Sequence, residues 1–314
     1  MFTGVHVLTV DHSFLTNLYK EKSLPVFDLL PAILNDEGCF KPFPHLFVVL
    51  ISYDSNHQKS SALAKIDPDS STLSLLRDYS KNSVCGIKAR NKEQNMLLNG
   101  LMDPRVRCQI ITGKAGSGKT VCTLAAAFDQ VIEDSDSPYE QLILTRPMDP
   151  VGRVGLGALP GDANDKFNPY LANFFSNFSF LLGKRSIDYI KTLIEDQKIV
   201  CMPLQLIGGA SFSNAFIVAD EVQSLNADEM YALGTRAGEN SKLVMLGDYR
   251  QRYGKKMNLS STGLYQLMES GVAQASPITS SIQLIKQERS AIAGLFTEVF
   301  DPEIKLKSLS TKHQ

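Results

Sequence analysis

The segment at residues 113–120 constrains the fold of this chain more than any other. It reads Gly-Lys-Ala-Gly-Ser-Gly-Lys-Thr and matches the pattern G-x-x-x-x-G-K-[ST] at every defining position. A β-prone run precedes it at 106–112, and an Ala-rich helical run follows it at 121–128. Strand, glycine loop and helix in this order predict a loop that cradles phosphate groups at the start of a helix.

The loop residues have distinct expected roles. The glycines let backbone N–H groups point at phosphate oxygens, Lys119 reaches the β- and γ-phosphates of a nucleotide, and Thr120 binds Mg²⁺. A flexible loop with an incidental lysine is the alternative, which the flanking patterns disfavour. Nucleotide contacts are therefore expected along the whole loop: Gly113, Lys114, Ala115, Gly116, Ser117, Gly118, Lys119 and Thr120.

A second motif lies later in the chain. Five apolar residues at 215–219 lead into Asp220 and Glu221, and ligands of open α/β sheets bind at the carboxyl ends of the strands. We expect Asp220 to lie behind Mg²⁺, directly or through water, and Glu221 to orient or deprotonate the attacking water. The start of a solvated helix is the alternative for such an Asp-Glu pair.

A third motif, G-D-x-x-Q, follows the predicted strand at 243–246 and contains Asp248 and Gln251. Asp248 is expected to be part of the nucleotide site. Gln251 can donate a hydrogen bond to the γ-phosphate and accept one from water, so it is predicted to sense the nucleotide state. A simple Gly-Asp turn after a buried strand is the alternative.

Arg146, Arg236 and Arg289 stand at predicted strand or helix ends, where a guanidinium can stabilise charge on the transferred phosphoryl group. Arg289 ranks first, because it follows the last predicted strand and opens a helix. Surface ion pairing is the alternative for each arginine. Gln94, upstream of the loop, is expected to read the adenine edge with its donor and acceptor; a polar helix cap is its alternative.

Composition excludes several classes of protein. The formal net charge of −1 leaves no global field to attract nucleic acid, so such binding would need a local basic surface. The five cysteines and five histidines show no metal-ligand spacing. No apolar run reaches the ~18 residues needed to span a bilayer, and no leader pattern opens the chain. We therefore expect no membrane contact and a cytoplasmic location.

The chain divides into three predicted parts. Residues 1–83 contain short apolar runs broken by polar turns, which predict a small β-rich unit. Residues 84–302 alternate strands and helices, which predicts an α/β domain with a mostly parallel sheet. Residues 303–314 are expected to be a tail. The candidate strands of the large domain, besides the one before the loop, are 141–145, 199–207, 215–219, 243–246 and 281–285.

These motifs together resemble the PhoH-like family of phosphate-loop ATPases. The resemblance covers about residues 86–301 and includes Thr145-Arg146-Pro147, Leu159-Pro160-Gly161-Asp162 and Glu288-Arg289-Ser290 besides the motifs above. It implies a RecA-like core related to superfamily 1 helicases. It further implies hydrolysis of ATP with Mg²⁺, action on RNA or single-stranded DNA, and ring-shaped homo-oligomers such as hexamers.

The N-terminal part shares in the resemblance, because residues 60–66 are similar to the unit that joins a PIN nuclease domain to the ATPase in longer members. This chain is expected to be a compact form without the PIN domain and without ribonuclease activity. Two positions depart from the family pattern: Tyr249 replaces a frequent proline, and Ala219 replaces a bulkier residue. Neither change removes a reacting group, so the expected chemistry survives.

The leading hypothesis is an ATPase that translocates on or remodels RNA or single-stranded DNA. Local support is the stretch at 249–256, where two tyrosines alternate with four basic residues around Gln251; a solvated basic loop is the alternative. A nucleotide-gated switch or assembly factor acting on a protein partner is the main rival. A small-molecule kinase is a weaker one, which the G-D-x-x-Q motif and the late arginine disfavour.

Overall fold

A computed structural model describes residues 2–34, 40–147, 163–183, 186–209, 211–248 and 259–288, together with residues 292, 295 and 299. Within them the chain forms a five-stranded and a six-stranded sheet. The smaller sheet belongs to the N-terminal part and the larger one to the part that carries the motifs.

The N-terminal unit is a mixed sheet covered by two helices. Its strand order is β1-β3-β4-β5-β2, with a parallel β1–β3 pair and antiparallel pairs elsewhere. The β-rich unit was predicted, whereas its two helices were not. The elements are β1 (Val5–Thr9), α1 (His12–Glu21), β2 (Ser23–Pro25), α2 (Val26–Ala32), β3 (Phe47–Tyr53), β4 (Lys59–Ile66) and β5 (Thr72–Leu75).

The six-stranded sheet is parallel at every pairing, in the order β11-β6-β10-β9-β7-β8. This confirms the predicted α/β class. The strand predicted at 199–207 ends at Pro203, and a short 3-10 helix begins at Leu204. The strands are β6 (Cys108–Gly113), β7 (Gln141–Arg146), β8 (Ile199–Pro203), β9 (Ala215–Ala219), β10 (Lys242–Gly247) and β11 (Thr279–Leu284).

Helices cover both faces of this sheet. Among the described residues, no helix is long and apolar enough to cross a membrane. The helices are α3 (Lys92–Met102), α4 (Lys119–Phe128), α5 (Ala163–Leu182), α6 (Ser186–Glu195), α7 (Ala227–Gly234), α8 (Gly263–Glu269) and α9 (Gly271–Gln274).

The strands explain this two-sided covering, because successive side chains of a strand point to opposite faces. In β9, Phe216 and Val218 pack in the core formed with α3 to α6. Ile217 and Ala219 pack in a second core with α7 and α8. All four residues are buried. A continuous apolar run is therefore the sequence of a strand covered on both faces.

The N-terminal unit packs directly on the edge of the larger sheet. The N–H of Gln283 in β11 donates to the carbonyl of Thr3 over 2.9 Å. A Cβ on Gly4 would lie 1.8 Å from the Ser281 carbonyl oxygen, so only glycine permits this approach. Lys65 of β4 forms a buried ion pair with Asp103, which follows α3. Polar and close backbone contacts thus join the two sheets.

Candidate active site

The predicted motifs converge at the carboxyl-terminal edge of the parallel sheet. The loop at 113–120 follows β6, Asp248 follows β10, and Asp220 follows β9. These strands are neighbours in the order β6-β10-β9. Their C-terminal ends therefore place the three motifs side by side around one cleft of about 800 Å³.

Glycine allows the phosphate loop to pack tightly on α3. Gly118 has a φ of +93°, in the left-handed region that other residues rarely adopt. A Cβ at this position would also lie 2.6 Å from Nε2 of Gln94. That amide instead donates to the Ser117 carbonyl over 2.9 Å. The loop shape thus depends on both the backbone freedom and the missing side chain of Gly118.

Lys119 starts α4 and folds back over the loop. Its Nζ donates to the carbonyl oxygens of Gly113 and Lys114 over 2.6 and 3.1 Å, and the side chain is buried. Thr120, the next residue, lines the cleft in the first turn of the helix. The ammonium and the hydroxyl therefore border the concave side of the loop, where phosphate oxygens would lie.

Asp220 is a buried carboxylate directly after β9. Burial raises its pKa to about 6, the charge of Glu221 adds to the rise, and Arg146 and Lys119 act in the opposite direction. One carboxylate oxygen accepts from the N–H of Glu221 over 2.9 Å, and the other from Nδ2 of Asn173 over 3.2 Å. Such a carboxylate gains from a nearby cation, because the cation offsets its cost of burial.

Glu221 and Asp248 are joined by Gln223, a residue for which the sequence motifs predict no role. Its Nε2 donates to Oε2 of Glu221 over 2.5 Å, and its Oε1 accepts from the N–H of Asp248 over 3.1 Å. Asp248 in turn accepts from the N–H of Ala115 over 3.2 Å. One signal could have indicated it: a glutamine two residues after the acidic pair.

The amide of Gln94 is already engaged within the protein. Its Oε1 accepts from the N–H of Arg90, and its Nε2 donates to the Ser117 carbonyl, each over 2.9 Å. The helix cap that was the alternative role belongs to Asn91, whose Oδ1 accepts from the N–H of Gln94. Gln94 lines the cleft, so its contact with adenine stays a prediction.

The remaining predicted residues, three arginines and Gln251, do not all lie at this cleft. Arg146 ends β7, and its charge acts on Asp220. Arg236 lies near the amino-terminal ends of the strands, since its carbonyl accepts from the N–H of Phe212, which precedes β9. The structure therefore does not bring Arg236 to this cleft, because the turn after α7 returns the chain to the amino ends of the strands. Gln251 and Arg289 lie outside the described residues.

The donor set fits a magnesium nucleotide. The Thr120 hydroxyl and the Asp220 carboxylate are hard oxygen ligands, and Mg²⁺ commonly takes one or two protein oxygens besides phosphate and water. A dedicated metal cage would need more ligands. In the part of the chain that the structure describes, no group of three or more His, Cys, Asp or Glu residues could hold a metal ion.

Comparison with known proteins agrees with this geometry. A model of the family described as "PhoH-like protein" matches residues 86–301. The chain belongs to the PhoH-like family. Strand β10 lies between β6, which leads into the phosphate loop, and β9, which leads to Asp220. This parallel sheet is the RecA-like core that the resemblance implied.

Relatives extend the match of this PhoH-like chain into its N-terminal part. Protein PhoH2 of Bacillus subtilis (strain 168) is 30% identical over 300 residues, which cover 95% of this chain and 64% of that protein. Protein PhoH2 of Thermobispora bispora is 32% identical over 241 residues, which cover 77% of this chain and 53% of that protein. The chain thus spans between half and two thirds of the length of these relatives.

One solved structure is a distant neighbour of this PhoH-like chain. It is the Pif1 helicase from Bacteroides in complex with ADP-AlF3 and ssDNA, with a TM-score of 0.31 and 13% sequence identity. The match covers 68% of this chain and 46% of that one.

Proposed function

We propose that this chain hydrolyses ATP with Mg²⁺ and couples hydrolysis to binding, translocation on or remodelling of RNA or single-stranded DNA. The observation that carries the ATPase part is the convergence of Lys119, Asp220, Glu221 and Asp248 on one cleft. We propose an ATPase domain at residues 84–302 and a small N-terminal domain at residues 1–83; the predicted tail at 303–314 lies outside the described residues.

Each side chain has a distinct proposed role. The ammonium of Lys119 neutralises charge on the β- and γ-phosphates. The carboxylate of Glu221, oriented by Gln223, holds the attacking water and accepts its proton. The N–H of Ala115 belongs to the phosphate loop and is held by Asp248, so Asp248 fixes the loop against β10. Holding these groups in place before ATP binds reduces the reorganisation needed during reaction.

Thr120 and Asp220 are the proposed ligands of Mg²⁺. A magnesium ion bound there supplies charge neutralisation at the phosphate oxygens. Arg146 and Arg289 are proposed to stabilise charge on the transferred group, and Gln251 to sense nucleotide state. We retain Gln94 as the proposed reader of adenine.

The nucleic-acid part of the proposal rests on family membership and on the basic, tyrosine-containing sequence at 249–256. Cations there would contact strand phosphates, and a tyrosine would stack on a base, next to Gln251. Ring-shaped homo-oligomers, such as hexamers, are proposed on the same family grounds. Since ATP and RNA or DNA must be present together, the cytoplasm is the proposed location.

The steady-state rate of ATP hydrolysis tests both parts. The rate is measured with and without a panel of single-stranded RNAs and DNAs, with the Glu221→Gln protein as the blank. We expect hydrolysis in the wild type, stimulation by strands, and loss of that stimulation as salt rises. Absence of hydrolysis under all conditions would refute the proposal. Hydrolysis that ignores every strand would favour the nucleotide-gated switch acting on a protein partner.

A further inference from the structure

Three segments that line or border the nucleotide cleft are joined by three hydrogen bonds that involve a side chain and one between backbone groups. They are the start of α3 with the loop before it, the phosphate loop, and the residues after β11. The bonds involve Asn91, Gln94, Glu288 and the loop residues Gly116 and Ser117, which we call the clasp.

The clasp is a closed circuit. Nδ2 of Asn91 donates to Oε1 of Glu288 over 3.0 Å. The N–H of Glu288 donates to the carbonyl of Gly116 over 3.0 Å. The next loop carbonyl, that of Ser117, accepts from Nε2 of Gln94 over 2.9 Å. The N–H of Gln94 donates to Oδ1 of Asn91 over 2.9 Å and closes the circuit.

The orientation of each amide follows from its partners. A backbone N–H can only donate, so the oxygen of Asn91 must face the N–H of Gln94, and its NH₂ group must face Glu288. The same reasoning fixes Gln94, whose oxygen faces the N–H of Arg90. Asn91 is therefore both the cap of α3 and the donor to Glu288.

The clasp joins two parts of the cleft that would bind different parts of a nucleotide. The phosphate loop is one part. The other is the segment at 86–90 with Gln94, which lines the cleft at a distance in sequence from the loop. Half-buried Ile87 and Val121 provide apolar surface there, as a base requires.

Resting on the proposed nucleotide binding, we infer that Glu288 is a positioning residue that holds the base-side segment in register with the phosphate loop through Asn91. A nucleotide engages both parts at once, so the relative position of the two parts sets its affinity. A ligand that consists of phosphate alone engages only the loop, and its affinity does not depend on the contact between Asn91 and Glu288.

The test uses an exchange of hydrogen-bonding groups. Asn91→Asp keeps the helix cap, because Asp and Asn cap helices about equally well, but it places a carboxylate against Glu288. Glu288→Gln keeps an acceptor for Asn91. The double variant restores a donor and an acceptor with the direction of the bond reversed. The full chain is used throughout, with dissociation constants measured for ADP and, by displacement of ADP, for inorganic pyrophosphate.

We expect Asn91→Asp to weaken ADP binding by about tenfold, the size expected when a charge-assisted hydrogen bond is replaced by like-charge repulsion. Pyrophosphate affinity should stay within about twofold, since a helix cap and the loop itself are intact. Glu288→Gln should also stay within about twofold for both ligands, and the double variant should regain most of the ADP affinity. Lys286→Ala is the matched control: it removes the exposed ion pair to the same carboxylate and should change neither ligand.

The inference would be overturned if Asn91→Asp bound ADP as tightly as the wild type, or if it lost affinity for ADP and pyrophosphate equally. It would also be overturned if the double variant bound ADP no more tightly than Asn91→Asp. If Asn91→Asp does not fold, Glu288→Ala serves instead, because it leaves the cap intact. Loss of ADP affinity with retained pyrophosphate affinity supports the inference there, and unchanged ADP affinity overturns it. Failure of the wild type to bind ADP would overturn the proposed function itself and the clasp with it.

Discussion

The side-chain amide of Gln223 lies 2.5 Å from the carboxylate of Glu221 and also accepts a hydrogen bond from the backbone N–H of Asp248. One buried glutamine therefore fixes the proposed base to the strand that carries the third motif. Glu221 has a φ of +58°, an uncommon conformation for a residue with a side chain. The conformation and the amide together set where the Glu221 carboxylate lies.

Replacing Gln223 should affect turnover more than ATP binding. In Gln223→Ala the Glu221 carboxylate loses its orienting donor, and we expect kcat to fall roughly 10- to 100-fold while KM for ATP stays within about threefold. Gln223→Glu should be at least as slow, since it places a second carboxylate beside Glu221. Steady-state kinetics measures both constants. Gln141→Ala, which removes an exposed amide at the far end of β7, should match the wild type; full kcat in Gln223→Glu would contradict the role.

Asp220→Asn should stabilise the ligand-free protein while abolishing hydrolysis. The folded-state pKa of about 6 exceeds the ordinary value of 3.8, so the charged form costs folding free energy above pH 6. We expect the free energy of unfolding to rise by ~1–3 kcal/mol at pH 8. The gain should shrink below pH 6, where wild-type Asp220 takes up a proton. Urea unfolding without Mg²⁺ at pH 8 and pH 5 measures this; a less stable variant at pH 8 would show that burial of the charge is not the dominant cost.

Gly118→Ala should disrupt the phosphate loop. The added Cβ would clash with the Gln94 amide. The loop would also hold the alanine backbone in the left-handed conformation, which costs ~1–2 kcal/mol apart from the clash. We expect loss of measurable ADP binding in calorimetry and a lower melting temperature. Gly234→Ala is the control, because a Cβ there would have no atom within 4 Å and the position lies in α7. Retention of ADP binding by Gly118→Ala would refute the packing argument.

Because Lys242 is buried, we expect the free energy of unfolding to rise with pH. This lysine is buried at the start of β10, where Nζ donates to the carbonyls of Leu101 and Asp103. Burial lowers its pKa to about 7, despite the opposing charge of Asp103. Above pH 7 the unfolded chain, with its ordinary lysine pKa of 10.5, binds more protons than the folded one, so folding is favoured as pH rises.

Between pH 7 and pH 9 we expect wild-type unfolding free energy to increase by roughly 1–2 kcal/mol relative to Lys242→Met. Urea unfolding at both pH values measures the difference. Subtracting the unfolding free energy of the variant from that of the wild type removes the contributions of titrating groups that both proteins share. Lys20→Met, at a largely exposed site, should show no such change relative to the wild type. Parallel pH curves for wild type and Lys242→Met would contradict the burial effect.

The sequence alone determined the class of fold and the place of the candidate site in it. The glycine pattern at 113–120, the apolar run before Asp220 and the G-D-x-x-Q motif are local, because each combines a buried strand with the residues directly after it. Since parallel strands present their carboxyl ends at one edge, these local patterns were enough to predict that the motifs meet. The structure brings Lys119, Asp220 and Asp248 to one cleft, and their roles there stay predictions.

Only the tertiary structure decided which distant residues contact one another. Gln223 contacts Asp248 across 25 positions of sequence, and Asn91 contacts Glu288 across 197. No local pattern specifies either of these two contacts. The position of Arg236 also depended on the tertiary structure. Its place at a helix end did not reveal at which end of the strands it lies. Hydrogen bonds of this kind depend on the packing of whole elements, whereas a phosphate loop depends on backbone freedom that its own glycines supply.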